Sequence, residues 1–416
     1  MSKVMKACTR PERGERSARE RSIFKPIWHT GAALVLAAGM AHGEEGAVVP
    51  PEPPKHVGAP LASQLPATRK FEGIPALAVS KGGRLWATWY AGPTPGEDRN
   101  NYVVLSTSGD GGKTWKEALI VDPDFGGPRR TFDPQVWVAP DGKLRLFWID
   151  FEMETNWDWK TFGVKDASRP QRLWMLEIPD ADSERAEHGA PVCIGTGVCI
   201  CKPIVLSTGE WALPVCTWGT EGSAKIVVSS DGGRTWAVRG AATLPKEHRE
   251  WDEHMIVERR DKSLWLLART KFGIDESVSA DRGVTWTVGE PSKLLHPNAR
   301  FFITRLASGS LLLVKHGPLY TKTGRSHLTA YISKDDGQTW EGGLLLDERG
   351  GVSYPDGQQT PDGLIRIVYD HLRTKGRSIL FATFKEEDAL AGKDVSGAVK
   401  LRQVIAAEES PKEEQK

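Results

Sequence analysis

One eight-residue pattern, S-x-D-x-G-x-T-W, occurs four times in this chain: Ser108–Trp115 (SGDGGKTW), Ser229–Trp236 (SSDGGRTW), Ser279–Trp286 (SADRGVTW) and Ser333–Trp340 (SKDDGQTW). Self-similarity of this kind marks an array of repeated units, so a repeat architecture has to be the frame for everything else. The residue types are those of a tight turn. A short Asp bonds backbone amides, Gly supplies positive φ, and Trp packs the turn onto its neighbour. The boxes are therefore read as structural.

A second repeat is carried by hairpins. Six apolar strands begin at turn residues: Gly83–Ala91 (GRLWATWYA), Gly142–Asp150 (GKLRLFWID), Gly209–Thr217 (GEWALPVCT), Lys262–Thr270 (KSLWLLART), Gly309–Gly317 (GSLLLVKHG) and Gly363–His371 (GLIRIVYDH). Each follows another apolar stretch, namely IPALAV, DPQVWVA, KPIVL, HMIVE, FFITRLA and the segment after Tyr354. Two apolar strands joined by an Asp-Gly-type turn make a β-hairpin. The starts recur at roughly 50-residue intervals, the length of a four-stranded blade. Six copies predict an all-β fold: a six-bladed β-propeller of four-stranded antiparallel blades. The four Asp-boxes then close the outer hairpins of blades one, three, four and five. The many turns and aromatics (43 Gly, 27 Pro, 16 Trp) agree with this. Ser378–Phe384 (SILFATF) is expected to pair with blade one and close the ring.

The flanks read differently. Residues 1–43 combine a basic head (Lys3, Lys6, Arg10, Arg13, Arg16, Arg19, Arg21, Lys25), the short apolar run Gly31–Gly39 and small residues after it. That is the make-up of a secretory signal peptide, which predicts a periplasmic or secreted protein with no membrane span once the signal is removed. Residues 44–66, with PPEPP, read as a Pro-rich linker, 67–400 as the propeller, and 401–416 as a charged disordered tail. A net charge of +1 gives no nucleic-acid signal. Cys193, Cys199, Cys201 and Cys216 have a spacing that matches no common zinc finger, so no metal is assigned, and their pairing stays open. Oligomeric state is not encoded in any pattern found.

The hairpin register gives a candidate site. Equivalent positions at one end of the six strands are Tyr90, Ile149, Cys216, Arg269, His316 and Asp370, with Asp150 and His371 one residue further on. In a propeller such ends converge on a central funnel. Arg269, His316 and Asp370 are expected to face it, because a charge ending an apolar strand needs a partner or water. Arg130 and Asp133 (TFDPQVW) are placed at the rim of blade two. Trp157 and Trp159 (NWDWK) are candidates for stacking on sugar faces.

With these residues the sequence resembles the sialidase superfamily, the Asp-box (BNR-repeat) propellers, over about residues 67–390. The resemblance implies site residues one by one. EHMIVERRDKSLWLLAR matches the family's Glu followed across a hairpin by an arginine, which makes Glu253 a catalytic base and Arg269 a ligand of the substrate carboxylate. Arg325 in RSHLTAYISKDDG matches the arginine that opens a strand leading into a box. Tyr354 in YPDGQQTPDG, nine residues before Gly363, matches the nucleophile. Asp98 in GEDRNN matches the acid/base aspartate, with Glu97 as the reserve. One position departs: FEGIPAL has Gly73 where the family's first arginine stands, beside Glu72. Arg129, Arg130 and Arg300 are the candidates to replace it from another direction.

The activity implied is an exo-glycoside hydrolase that needs no cofactor and releases sialic acid or a related acidic sugar from glycans. Two alternatives stay open on the same propeller. One is a lyase or hydrolase of uronic-acid glycans using His316 or His371. The other is a non-catalytic glycan-binding protein.

Overall fold

The computed structural model describes residues 51–153, 171–218 and 222–408. The signal-peptide reading of 1–43, the Trp157–Trp159 pair and the last residues of the tail lie outside the described residues.

Six antiparallel four-stranded sheets form a six-bladed propeller. Blade one contains Phe71–Val79, Leu85–Gly92, Tyr102–Ser108 and Lys116–Asp122, and blade two Arg129–Val138, Leu144–Glu152, Arg172–Ile178 and Val192–Thr196. Blade three contains Ile204–Val205, Trp211–Cys216, Ala224–Ser229 and Ala237–Ala242, and blade four His254–Glu258, Leu264–Arg269, Ile274–Ser279 and Glu290–Pro291. Blade five contains Phe302–Arg305, Leu311–His316, Leu328–Ser333 and Glu341–Asp347. Blade six contains Val352–Gln359, Ile365–His371, Ser378–Phe384 and Lys400–Ala406. The first strands of blades six, one and two pack side by side around the axis, as do those of four, five and six.

The six inner hairpins use one turn. In each, a backbone N–H closes on the carbonyl three residues earlier: Gly83 on Ser80, Gly142 on Ala139, Gly209 on Leu206, Lys262 on Arg259, Gly309 on Leu306 and Gly363 on Thr360. All six residues adopt left-handed φ, and Lys262 does so at 73° without being glycine. The second strands are continuous apolar runs because both of their faces are covered. Leu85–Gly92 and Leu264–Arg269 are buried throughout.

The boxes sit between the third and fourth strands of blades one, three, four and five. In the first, the Ser108 hydroxyl donates to Asp110 (2.8 Å) and accepts from the Gly112 N–H (2.9 Å). The Asp110 carboxylate accepts from the Thr114 amide and hydroxyl, and the Trp115 indole donates to the Gly112 carbonyl. Gly112 has φ 90°, and a Cβ there would lie 2.4 Å from the Phe381 ring of blade six, so only glycine fits between the blades.

Three expectations are corrected. Ser378–Phe384 does not pair with blade one. It is the third strand of blade six and meets blade one only through side chains, with Phe381 edge-on to Trp115 at 6.0 Å. Blade one already has four strands of its own, so it leaves no vacancy. The chain is not unstructured from Leu401: Lys400–Ala406 is the outer strand of blade six, with Ile405 buried against that seam. The charges that suggest disorder lie mainly beyond it, in residues 408–416, and the strand itself holds only Lys400 and Arg402. The linker ends earlier than 66. His56–Gly58 adds to Lys116–Asp122 as a fifth strand, and the Arg129 guanidinium donates to the carbonyls of Glu52 and Pro53.

Cys193, Cys199, Cys201 and Cys216 are free thiols, and all but Cys193 are buried. Among the described residues no helix is long and apolar enough to cross a membrane.

Candidate active site

Three of the innermost strands carry the same defect. The pairing slips between Gly73 and Ala76, between Phe132 and Gln135, and between Ser353 and Asp356. Each slip holds an X-Pro pair, Ile74-Pro75, Asp133-Pro134 and Tyr354-Pro355, and each X has positive φ (60°, 46° and 51°). Such backbone is costly for an L-residue, above all for β-branched Ile74, and proline is tolerated inside a sheet only at such bulges. A bulge re-aims one side chain. Here all three line one cavity of about 290 Å³, at the lower end of small-ligand sites and large enough for a single sugar ring.

The floor of the cavity is a trio. The Tyr354 hydroxyl donates to Glu253 Oε1 at 3.0 Å and accepts from Arg269 Nη1 at 3.0 Å. Arg269 also donates to both Glu253 oxygens at 2.9 and 3.0 Å, and its Nε to Asn298 Oδ1 at 2.7 Å. All three residues are at least 95% buried. Burial, followed by the Glu253 charge, raises the Tyr354 hydroxyl above its ordinary value. Burial opposes the Arg269 charge, but Glu253 and Tyr354 together outweigh it and the guanidinium is held above its usual value.

Two further guanidiniums converge on Tyr354. Arg325 lies over the ring at 5.7 Å and donates to Ser353 Oγ (2.7 Å) and the Asn298 carbonyl (3.3 Å). Arg373 lies over the ring at 4.5 Å and donates to the same Ser353 Oγ (3.2 Å), to Asp370 Oδ2 (2.9 Å) and to Glu97 Oε1 (3.4 Å). Arg269 has Glu253 as counter-ion, and Arg373 has Asp370 and Glu97. Arg325 has no carboxylate within ion-pair distance among the described residues, and burial pushes it below its ordinary value.

The other predicted residues divide cleanly. Arg130 and Asp133 line the cavity. Arg130 stacks over Phe132 at 4.4 Å and reaches Glu97 at 3.3 Å. Asp98 does not line it, because its carboxylate is used up in its own turn by Thr94 and Asn100, whereas Glu97 beside it faces the cavity. His316 and Asp370 are fully buried behind the wall. His316 bonds His296 and the Val352 carbonyl, and Asp370 anchors Arg373 and the Ile74 amide. His371 is also absent from the lining, so the lyase alternative lacks both of its proposed bases. Of the candidates to replace the missing arginine, Arg129 is bonded to carbonyls of the N-terminal segment. Arg300 lies beneath the floor, donating to Asp356 at 3.1 Å. Glu72 turns away to pair with Arg69.

Six lining residues escaped sequence reasoning: Ile74, Phe132, Trp218, Glu250, Trp251 and Arg373. Trp218 stands edge-on to Trp251 at 5.3 Å and next to Phe132 at 6.1 Å, which gives the cavity one aromatic wall. The bulge signal itself was legible. Ile74, Asp133 and Tyr354 each precede a proline and stand nine residues before a hairpin glycine (Gly83, Gly142 and Gly363).

Asp133 yields a stability prediction. Burial first, then the charges of Glu253 and Glu97, raise its carboxyl well above the usual range, with Arg130 and Arg373 opposing. A raised carboxyl stabilises the fold fully below the unfolded value of about 3.9, and that contribution is lost as pH rises toward the folded value. Asp133→Asn should therefore melt above wild type at pH 7, by about 2 °C if about 1 kcal/mol is recovered. Calorimetry should show the gap closing below pH 4. A gap that widens in acid would refute the assignment.

The fold and floor together define a class: an Asp-box propeller whose funnel ends in a Tyr–Glu–Arg trio. The sequence pattern of the BNR repeat-like domain matches residues 83–367, and the chain belongs to this family, within the sialidase superfamily of propellers. It is 26% identical over 373 residues to a sialidase of Bacteroides fragilis (strain YCH46), covering 80% of this chain and 62% of the relative. A sialidase of Micromonospora viridifaciens is 27% identical over 399 residues, covering 85% and 57%. The chain thus spans about three fifths of the length of these relatives. Among solved structures, a Hadza microbial sialidase superposes with a TM-score of 0.60 at 20% identity, covering 77% of this chain and 67% of the other. The NanB sialidase from Streptococcus pneumoniae gives 0.58 at 14%, covering 80% and 72%. These two show likeness of fold.

Proposed function

We propose that this protein is an exo-acting glycoside hydrolase that releases a terminal acidic sugar, sialic acid or a close relative, from glycans. The observation that carries the reading is the Tyr354 hydroxyl held 3.0 Å from both Glu253 and Arg269 at the bottom of an arginine-lined cavity. Most glycosidases use two carboxylates. Where the anomeric carbon already bears a carboxylate, an anionic nucleophile is repelled, and a neutral tyrosine activated by a base suits the task.

In this scheme the Tyr354 proton passes to Glu253 as Oη attacks the anomeric carbon. The glycosidic C–O bond breaks, and the leaving oxygen takes a proton from Glu97, the cavity-facing carboxylate next to Asp98. Water then gives its proton to Glu97 and its oxygen to the anomeric carbon, while the tyrosine oxygen leaves and recovers its proton from Glu253. Arg269 and Arg325 hold the substrate carboxylate by charge-assisted hydrogen bonds. Export to the periplasm or beyond, expected from residues 1–43, belongs to the same proposal.

The test is product analysis of the purified protein on a panel of sialosides and uronides. Free acidic sugar is the expected product. An unsaturated uronide absorbing in the ultraviolet would replace hydrolysis by elimination. Tight binding without turnover would leave a glycan-binding propeller.

A further inference from the structure

The backbone at Gly73 stands against an arginine from the opposite end of the chain. A Cβ built on Gly73 would lie 2.7 Å from Arg373 Cδ and 2.8 Å from its Cγ, closer than real side chains approach. Gly73 has ordinary φ, so its lack of a side chain serves the space and not the turn. Arg373 fills that space by running past the first strand of blade one. It is fixed there from three sides: the Glu72 N–H donates to the Arg373 carbonyl at 3.0 Å, Asp370 takes its Nε, and Ser353 takes its Nη2. Its guanidinium then enters the cavity beside Arg325, with one hydroxyl, Ser353 Oγ, bonded to both.

Two like charges sharing one neutral acceptor repel each other unless an anion joins them. Asp370 pairs with Arg373 at 2.9 Å from behind, and Glu97 offers it a 3.4 Å contact shared with Arg130, while Arg325 has no carboxylate within ion-pair distance among the described residues. We infer that Arg373 joins Arg325 and Arg269 in the seat for the substrate carboxylate, and that Gly73 is glycine because Arg373 occupies its side-chain space. The charge that Gly73 fails to supply from blade one is thus delivered to the same place from blade six. The inference rests on the acidic-sugar reading given above.

The test separates the two. Binding of N-acetylneuraminic acid and of its methyl ester is measured by calorimetry on wild type, Arg373→Ala, Gly73→Ala and the double variant, with folding checked by melting. Arg373→Ala should weaken binding of the acid by about 100-fold, the worth of a charged hydrogen-bond pair, and leave the ester little changed. Gly73→Ala should weaken the acid by about 10-fold because it displaces Arg373. On the Arg373→Ala background it should add nothing, since the clash has gone. Gly73→Arg combined with Arg373→Ala should recover part of the lost affinity. If wild type prefers the acid and Arg373→Ala keeps that preference, the seat is wrong and the function stands. If Gly73→Ala weakens the acid equally on both backgrounds, the link between Gly73 and Arg373 is wrong. If wild type does not distinguish acid from ester, the acidic-sugar reading falls as well.

Discussion

Tyr354→Phe should lower kcat on an acidic glycoside by several orders of magnitude, on the order of 10⁴, because it removes the one oxygen able to form the covalent bond. The fold should barely notice. The ring keeps its place under Arg373 and Arg325, and the two groups bonded to the lost hydroxyl, Glu253 and Arg269, keep each other. The change in stability should stay within about 1 kcal/mol, the net worth of an ordinary hydrogen bond. Glu253→Gln should also be slow, by about 10²- to 10⁴-fold, since the nucleophile remains and only its base is gone. Steady-state kinetics on melting-matched protein checks both. A Tyr354→Phe variant that retains wild-type turnover per folded molecule would remove the mechanism.

Arg325→Ala should raise KM for acidic substrates by about 100-fold or more while the melting temperature holds or rises. Arg325 is part-buried and faces the cavity with no carboxylate within ion-pair distance among the described residues, so removing it takes away a binding group and a poorly compensated cation together. Arg269 is different. Arg269 is the buried counter-ion of Glu253, and deleting it strands that carboxylate at a cost of about 3 to 5 kcal/mol. Loss of activity in Arg269→Ala is therefore ambiguous, whereas loss in Arg325→Ala with an unchanged melt is not. An Arg325→Ala protein that binds acidic sugar as wild type does would show that the free guanidinium serves another purpose.

What the sequence showed and what it hid divide along one physical line. Local chemistry was legible: the turn residues of six hairpins, the four boxes, and the motifs resembling the family's that carry Glu253, Arg269 and Tyr354. Hairpin register placed Arg269 at the inner end of its strand, and blades four and six bring the trio together across the funnel. Arg373 was invisible because its signal is the absence of a side chain 300 residues away, and no pattern pairs a glycine with a distant arginine. Asp98 and Glu97 show the limit in a loop, where adjacent carboxylates differ only in which one the turn consumes. His316 and Asp370 fell to the same strand register that placed Arg269, but at their positions the wall closes over the strand end. Charged tails mislead for a related reason: the charges crowd residues 408–416, and the strand Lys400–Ala406 before them, with only Lys400 and Arg402, was read together with them.

The seam between blades one and six has a consequence for how the protein becomes active. Each blade's four strands are contiguous in sequence, so every sheet can form as soon as its own segment is made. The seam contacts are of another kind. Asp370 reaches Ile74 across 296 residues and Asp356 reaches Leu77 across 279. Asp356 also gathers Lys202, Arg300 and Gln135 on the axis, so one late carboxylate ties five parts of the ring to each other. Contacts between such distant residues carry the largest loop-closure entropy and form last. Blade six brings Tyr354 and Arg373 with it. A chain still emerging from the ribosome can therefore hold five finished sheets and an incomplete cavity, and the Tyr–Glu–Arg trio is assembled in one step, when the last blade docks.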